Sequence, residues 1–258
     1  MSTAPPSLDT SLAPLARRLL SLIDLTSLNE TDDDASIVKL ATLARTDAGR
    51  VAAMCTWRRL VPAACRALRG SGIAVAAVAN FPAGAADIET AAAETAAAIA
   101  DGAGEVDVVF PYREFLGGKP EVGLTLVRAC RRACGERALL KVILETGQLE
   151  TADNIRRAAD LAIEGGAHFL KTSTGKTTPG ATPEAAAVLL EAINAAASDG
   201  RHVGFKVSGG IRTLSQARSY LELYEARLGA GSALPSNFRI GASALVQELL
   251  GIARGQDT

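Results

Sequence analysis

Four short segments decide the fold: LLKVILET (139–146), HFLKT (168–172), VGFKVS (203–208) and FRIGA (238–242). Each is a run of mostly apolar, often β-branched residues, and longer stretches with helical periodicity lie between them. Repeated strand–helix units predict a parallel sheet that is covered by helices.

Similar runs precede these segments, at LLSLIDLT (19–26), VAAMC (51–55), IAVAAVAN (73–80) and EVDVVF (105–110). Eight strands at roughly even spacing fit either an open doubly wound sheet or a closed barrel. The absence of a break in composition favours closure, and so does the length of 258 residues, near the roughly 250 of a (β/α)8 barrel. We therefore predict an α/β fold, a single-domain TIM barrel that spans the whole chain.

The segments between the strands carry helix signals. Thr31 and Asp32 are predicted N-caps, Thr151 begins a further helix and Pro183 suits a first helical turn. Gly102 is expected just after the end of an alanine-rich helix. Residues 1–15 are expected to form a flexible N-terminal arm, and residues 255–258 a tail.

Composition limits the possible function classes. Hydrophobic residues make up 48% of the chain, and 27 basic against 28 acidic residues give a net charge of −1, so a broad nucleic-acid surface is not expected. The cysteines lack CxxC spacing, and Cys130 and Cys134 are expected to be small buried groups. The N-terminal sequence has neither the pattern of a secretory leader nor a membrane span, so a cytoplasmic location is expected.

Charged residues interrupt the apolar strands near their carboxyl ends, where barrel active sites lie. Lys171 and Lys206 lie in the sixth and seventh predicted strands, and Asp107 and Lys141 lie in the fourth and fifth. A single lysine could reach water from a strand end. Two lysines and an aspartate on neighbouring strands need mutual pairing, a function or both. Gly204, on the same face as Lys206, is expected to leave space for a substrate.

The functional interpretation depends on the lysine pKa. Free lysine titrates at about 10.4, so its amine is protonated at neutral pH and cannot attack a carbonyl. Burial and a second ammonium group both lower the pKa. At roughly 6 Å and an effective dielectric constant of about 20, repulsion is near 3 kcal/mol, or about two pKa units. We expect Lys171 to approach neutrality and Lys206 to stay protonated beside Asp107.

Glycine-rich loops follow the last strands. Gly209, Gly210, Gly241 and Ser243 lie where barrels often bind phosphate, and Lys176 could add charge from the preceding loop. A glycine pair alone usually marks a turn, but two such sites in the expected loops favour a phosphate-binding region.

The segments EVDVVFPY (105–112), LLKVILETG (139–147), FLKTSTGK (169–176), GFKVSGGIRT (204–213) and FRIGAS (238–243) resemble deoxyribose-phosphate aldolase. The resemblance runs from about residue 20 to residue 250. It implies reversible cleavage of 2-deoxy-D-ribose 5-phosphate to glyceraldehyde 3-phosphate and acetaldehyde, without a metal or organic cofactor. A homodimer is the expectation from the family. No nucleic-acid or membrane partner is expected.

The resemblance also implies residue roles. Lys171 resembles the Schiff-base lysine, Lys206 the lysine that perturbs it, and Asp107 an acid/base partner that acts with a water. The expected substrate-binding residues are Asp24, Thr26, Cys55, Lys141, Thr174, Gly175, Lys176, Gly209, Gly210, Gly241 and Ser243.

Some features depart from the familiar pattern or leave alternatives open. Val207-Ser208 replaces Pro-Ala or Ala-Ala, and Ala244 replaces a second serine, which could weaken phosphate binding. Another Schiff-base aldolase acting on a sugar phosphate or keto acid, and a non-catalytic sugar-phosphate-binding barrel, are the alternatives. His168 and His202 begin strands at the opposite end of the barrel, so a metal-dependent aldolase is not expected. Cys55 is expected as a pocket wall that aldehydes could modify.

Overall fold

The computed structural model describes residues 12–255. Eight parallel strands close into a barrel, because β1 pairs with β8 on one side and with β2 on the other. The strands are β1 (Ile23–Thr26), β2 (Ala53–Thr56), β3 (Ala74–Ala79), β4 (Glu105–Val109), β5 (Leu139–Ile143), β6 (Phe169–Lys171), β7 (Gly204–Ser208) and β8 (Phe238–Ala242). The predicted TIM barrel is confirmed, and the open sheet is excluded.

Helices alternate with the strands and surround the barrel. They are α1 (Leu12–Ser21), α2 (Asp34–Ala44), α3 (Val61–Ala67), α4 (Ile88–Ala100), α5 (Tyr112–Leu116), α6 (Pro120–Cys134), α7 (Thr146–Leu149), α8 (Ala152–Glu164), α9 (Pro183–Ser198), α10 (Leu214–Leu228) and α11 (Leu245–Ala253). A 3-10 turn (Arg58–Leu60) and a small hairpin (Arg45–Thr46 with Gly49–Arg50) complete the described elements. None of the helices in the described part of the chain is long and apolar enough to cross a membrane.

Several predicted helix signals are confirmed. Thr151 caps α8 by accepting a hydrogen bond from the Asn154 amide, and Gly102 follows α4 with a φ of +109°. The predicted caps of α2 are wrong, because Asp33 accepts the capping bond from Ser36. The Asp32 carboxylate instead binds the preceding loop, where it accepts from Ser27 and Asn29.

The predicted first strand is too long at its N-terminal end. Residues 19–21 belong to α1, whose buried positions Ala16, Leu19 and Leu20 follow helical spacing. An apolar run of this length does not distinguish a helix from a strand. Because α1 begins at Leu12, residues 12–15 are not part of an arm. Residues 1–11 and 256–258, the rest of the predicted arm and tail, lie outside the described residues.

Alternation along each strand separates the two sides of the barrel wall. Val106, Leu140, Leu170, Phe205 and Ile240 are fully buried between the sheet and the helices. The opposite faces of these strands point into the barrel. They carry the charged residues that the sequence placed in apolar strands, so the fold brings those residues together.

Cys130 and Cys134 are buried with free thiols on α6, as predicted.

Candidate active site

Six strands contribute charged side chains to the interior of the barrel. These residues are Asp24 on β1, Glu105 and Asp107 on β4, Lys141 on β5, Lys171 on β6, Lys206 on β7 and Arg239 on β8. Each is at most 5% exposed. Strand register aligns Asp107 with Lys141 and Lys171 with Lys206, which brings residues distant in sequence into one cluster.

The Asp107 carboxylate binds three lysines at once. Its Oδ2 lies 2.8 Å from the Lys171 Nζ and 2.8 Å from the Lys206 Nζ, and its Oδ1 lies 2.9 Å from the Lys141 Nζ. Burial alone would raise the pKa of Asp107, but Lys141, Lys171 and Lys206 outweigh it and hold the pKa well below its usual range. Asp107 is therefore an ionised anchor for the two lysines that the sequence singled out.

A second set of ion pairs lies on the far side of Lys141 and Lys206. Lys206 also binds Asp24 at 2.5 Å, and Lys141 binds Glu105 at 2.5 Å. Arg239 joins these carboxylates, at 2.5 Å from Asp24 and 2.8 Å from Glu105. Sequence reasoning missed Glu105 and Arg239, although both are charged residues in predicted apolar strands, the same signal that identified Asp107.

The cluster contains three carboxylates and four basic side chains, so it carries an excess positive charge when every base is protonated. Within the described residues, Lys171 has the fewest partners, since its only ion pair is to the oxygen that it shares with Lys206. Burial and the Lys206 ammonium lower the pKa of Lys171 against the opposing effect of Asp107. Loss of the Lys171 proton balances the cluster.

The pKa of Lys206 shifts in the opposite direction. Burial would lower its pKa, but Asp107 and Asp24 outweigh burial and raise it. The pKa values of the two lysines therefore shift in opposite directions, downward for Lys171 and upward for Lys206, as expected from the sequence. An amine nucleophile requires the neutral form.

A cavity of about 350 Å³ opens above this cluster. Of the residues predicted for the site, those that line it are Thr26, Lys171, Thr174, Gly175, Lys176, Gly209, Gly210, Gly241 and Ser243. Arg212 and Ser208 also line it. Arg212 was missed, although it belongs to the GGIRT motif. Asp107 and Lys206 lie behind the cavity wall and are fully buried.

Three residues predicted to contact the substrate do not line this cavity. Asp24, Cys55 and Lys141 are completely buried. Lys141 and Asp24 form an ion pair with each other inside the cluster. Cys55 packs in an apolar group with Leu28 and Val78. Burial raises the pKa of Cys55 to about 11, which favours the neutral thiol.

Two glycines, Gly204 and Gly241, allow neighbouring side chains to pack closely against the strands. A Cβ at Gly204 would lie 2.5 Å from the Phe169 ring, so this glycine accommodates Phe169 and the prediction that it frees room for a substrate is wrong. A Cβ at Gly241 would lie 3.2 Å from Lys206 Cε and 2.8 Å from Ser208 Cβ. Gly241 thus lets Lys206 extend along β8 toward Asp24.

Glycine backbones form one side of the cavity. Gly175, Gly209 and Gly210 have φ values of +78°, +98° and +91°, conformations that side chains disfavour. The start of α11 lies beside them, and its N-cap, Ala244, provides no capping side chain. Backbone N–H groups at a helix start favour an anion. Lys176 donates to the Leu28 carbonyl at 2.9 Å across the cavity.

The loop after β6 is fastened to its neighbours. Glu145, fully buried at the end of β5 with a φ of +54°, accepts from the Thr174 hydroxyl at 2.5 Å and from its amide at 3.2 Å. Thr172 and Ser208 exchange two bonds, and the Ser208 hydroxyl donates to the Ser173 carbonyl. Sequence reasoning missed Glu145, whose signal was a carboxylate at the end of the LLKVILE run.

The histidines lie apart from this site. His168 precedes β6 at the opposite end of the barrel from the cavity, and its Nδ1 accepts from the Leu140 amide at 2.8 Å. Within residues 12–255, no group of three or more histidine, cysteine, aspartate or glutamate side chains could hold a metal ion.

A closed barrel with a buried amine at the carboxyl edge of its strands, beside glycine-rich loops that suit an anion, is an arrangement typical of enzymes that use an amine nucleophile. The chain belongs to the DeoC/LacD family of aldolases, whose model matches residues 18–245. It is therefore an aldolase, a carbon–carbon lyase.

Solved structures agree with this assignment. A protein from Coccidioides immitis, provisionally assigned as a deoxyribose-phosphate aldolase, is 30% identical, with 96% of this chain and 88% of that chain covered and a TM-score of 0.78. A provisionally assigned deoxyribose-phosphate aldolase from Toxoplasma gondii, in its apo form, is 26% identical, with 96% and 100% covered and a TM-score of 0.88. The deoxyribose phosphate aldolase of Aeropyrum pernix, described as a unique tetramer, is 25% identical, with 96% and 98% covered and a TM-score of 0.75.

Proposed function

We propose that this aldolase reversibly cleaves 2-deoxy-D-ribose 5-phosphate to D-glyceraldehyde 3-phosphate and acetaldehyde, with Lys171 as the Schiff-base residue. The observation that carries the proposal is the position of Lys171. It is the one basic residue of the buried cluster that lines the cavity, and it has a single ion pair. The glycine loops and the start of α11 border the same cavity and suit a phosphate group.

The proposed reaction begins with the neutral Lys171 amine. It attacks the aldehyde carbon of the open-chain sugar, and loss of water gives an iminium ion. A water molecule held by Asp107 takes the proton from the C3 hydroxyl. The C2–C3 bond then breaks, its electron pair moves toward the iminium nitrogen, and glyceraldehyde 3-phosphate leaves. The remaining enamine is protonated at carbon, and hydrolysis releases acetaldehyde and the lysine.

Asp107 suits a transient role in this relay. Its Oδ2 lies 2.8 Å from the reacting nitrogen. The lysines that keep its pKa low also make it a weak base, so it would pass the proton on to the enamine carbon through the water and not retain it. Lys206 would stay charged and disfavour protonation of Lys171. No step requires a metal or an organic cofactor.

Borohydride trapping with acetaldehyde tests the assignment. Reduction should leave an ethyl group on Lys171, located by peptide mass spectrometry. K171L should lose both trapping and cleavage, whereas K39L, which removes an exposed lysine on α2, should keep both. Full-rate trapping at another lysine in K171L would exclude Lys171. A substrate panel with keto acids, ketose phosphates and deoxyribose 5-phosphate separates this activity from other aldolases, and binding without turnover would favour a sensor.

We also propose a cytoplasmic location and a homodimer. Light scattering of the purified chain would distinguish a dimer from a monomer or a tetramer.

A further inference from the structure

The Arg239–Glu105 pair is a buried part of the cluster that the proposed reaction does not use. Both side chains are at most 6% exposed, and neither lines the cavity. Arg239 contacts Glu105 through both terminal nitrogens, at 2.8 Å and 3.3 Å. Its Nε donates to the Pro235 carbonyl, and its guanidinium lies 5.7 Å from the Phe169 ring centroid. The pair is therefore held rigidly at a distance from any substrate.

A continuous chain of ion pairs connects this pair to the nucleophile. Arg239 binds Asp24, Asp24 binds Lys206, Lys206 binds Asp107, and Asp107 binds Lys171. A second branch runs from Glu105 through Lys141 to Asp107. Every link is 2.9 Å or shorter and is removed from bulk water, where screening would weaken it.

We propose that Arg239 and Glu105 are positioning residues that set the charge state of Lys171 through this chain of buried ion pairs. The inference rests on the proposed role of Lys171. Arg239 supplies the fourth cation of a cluster that has three carboxylates. Without it, three lysines would face three carboxylates, and all three could remain protonated. Without the Glu105 charge, the positive excess would grow.

In the part of the chain that the structure describes, other titratable groups near Lys171 form no ion pair with the residues of this cluster. Cys55 on β2 is buried and neutral at working pH because its pKa is raised to about 11. Glu145 directs both carboxylate oxygens to Thr174, and Lys176 donates to the Leu28 carbonyl. The inward residues Ala76 and Val78 on β3 are apolar. Glu145, Lys176 and Arg212, which lines the cavity, therefore lie outside the network, and the seven cluster residues are the charged groups that ion pairs connect to the Lys171 amine.

Opposite charge changes should move the pH dependence of Lys171 in opposite directions. We compare R239M, R239K, E105Q and the double variant R239M/E105Q with the unmodified chain. At about 10 Å and an effective dielectric constant of about 20, one charge corresponds to a shift of roughly one pH unit. We call the acid limb the pH range in which acetaldehyde trapping is lost on the acid side of its pH profile. The acid limb should lie about one pH unit higher in R239M and at lower pH in E105Q. It should stay near its original pH in R239K and in the double variant.

A purely structural role predicts a different pattern. Loss of packing would lower the melting temperature or the rate in each variant without moving the limb in opposite directions. If R239M does not fold, E105Q and the double variant decide, since the first should lower the limb and the second should restore it. The inference would be overturned if the acid limb of E105Q did not shift. It would also be overturned if the acid limb of the double variant did not return to its position in the unmodified chain.

A substrate-free readout separates this inference from the proposed function. Competitive acylation of lysines by acetic anhydride at a series of pH values, read by mass spectrometry, reports the charge state of Lys171 directly. Failure of acetaldehyde to trap on Lys171 would reject the proposed function. Acylation curves that coincide in all the folded variants would reject the charge coupling.

Discussion

Removing the Lys206 charge should change the pH dependence of catalysis more than removing the Lys141 or the Arg239 charge. Lys171 and Lys206 both lie 2.8 Å from the same Asp107 oxygen, so their nitrogens are separated by less than twice that distance. At about 5 Å and an effective dielectric constant of about 20, their repulsion is roughly 3 kcal/mol, or about two pKa units. K206M removes this repulsion and keeps a side chain of similar length.

The pKa of Lys171 should therefore rise in K206M. The rate of deoxyribose 5-phosphate cleavage, measured across pH, should show an acid limb displaced upward by about two units. At pH values below the acid limb of the unmodified chain this displacement corresponds to a loss of roughly 100-fold, and activity should recover as the pH rises. The rate of borohydride trapping with acetaldehyde should follow the same profile, because it reports formation of the Schiff base alone.

K176M is the matched control. It removes a lysine that lines the cavity but binds the Leu28 carbonyl and not Asp107, so it should affect phosphate binding and leave the acid limb in place. The reasoning would be refuted if K206M lowered the rate equally at every pH with an unmoved limb. That result would assign Lys206 to proton transfer or to packing instead of electrostatic control.

Three further predictions address packing, pH stability and substrate binding. G204A should destabilise the barrel by about 1–3 kcal/mol, seen as a lower melting temperature, because its Cβ would lie 2.5 Å from the Phe169 ring; an unchanged melting temperature would contradict this. Burial, with a smaller effect of Arg131, lowers the pKa of His168 in the folded chain. Its contribution to stability is thus complete above about pH 6.5 and is lost as the pH falls through the lower folded value. In H168Q the melting temperature should lose this dependence on pH between about pH 5 and 7. If the melting temperature changed with pH equally in H168Q and in the unmodified chain, His168 would be excluded as the cause. G209A, at a φ of +98°, should raise KM for the phosphorylated substrate about tenfold or more and change the use of free 2-deoxyribose little; equal effects on both sugars would argue against a phosphate cradle.

The sequence predicts the strand order well because each barrel strand is an independent local signal. The lysines in the otherwise apolar segments FLKT and GFKV indicate which face of each strand points into the barrel, because side chains alternate along a strand with a period of two residues. The local sequence has no comparable signal for how deep a side chain lies along the barrel axis. Lys141 and Lys171 look equivalent in their strands, yet the structure buries Lys141 among three carboxylates and places Lys171 at the cavity.

Residues that contact other members of the buried cluster and do not line the cavity were hardest to predict. Glu105 opens its strand, where a solvent-exposed carboxylate is ordinary, and Arg239 follows the first residue of its strand. Only barrel closure, which pairs β8 with β1, brings Arg239 to Asp24 and across to Glu105. Gly204 shows the same limit, because its neighbour Phe169 lies on an adjacent strand and cannot be read from the local sequence.

The composition of the cluster argues for function over stability. A buried ion network is weak evidence of stabilisation, because desolvation offsets much of the Coulomb attraction and apolar replacements of similar volume are often neutral or favourable. A network built for stability alone would also balance its charges. Here four bases face three carboxylates, and the surplus falls on Lys171, the member with the fewest ion pairs and the one that lines the cavity. The free energy that disfavours a fourth buried cation thereby becomes the driving force for a neutral amine at the place where an aldehyde can bind.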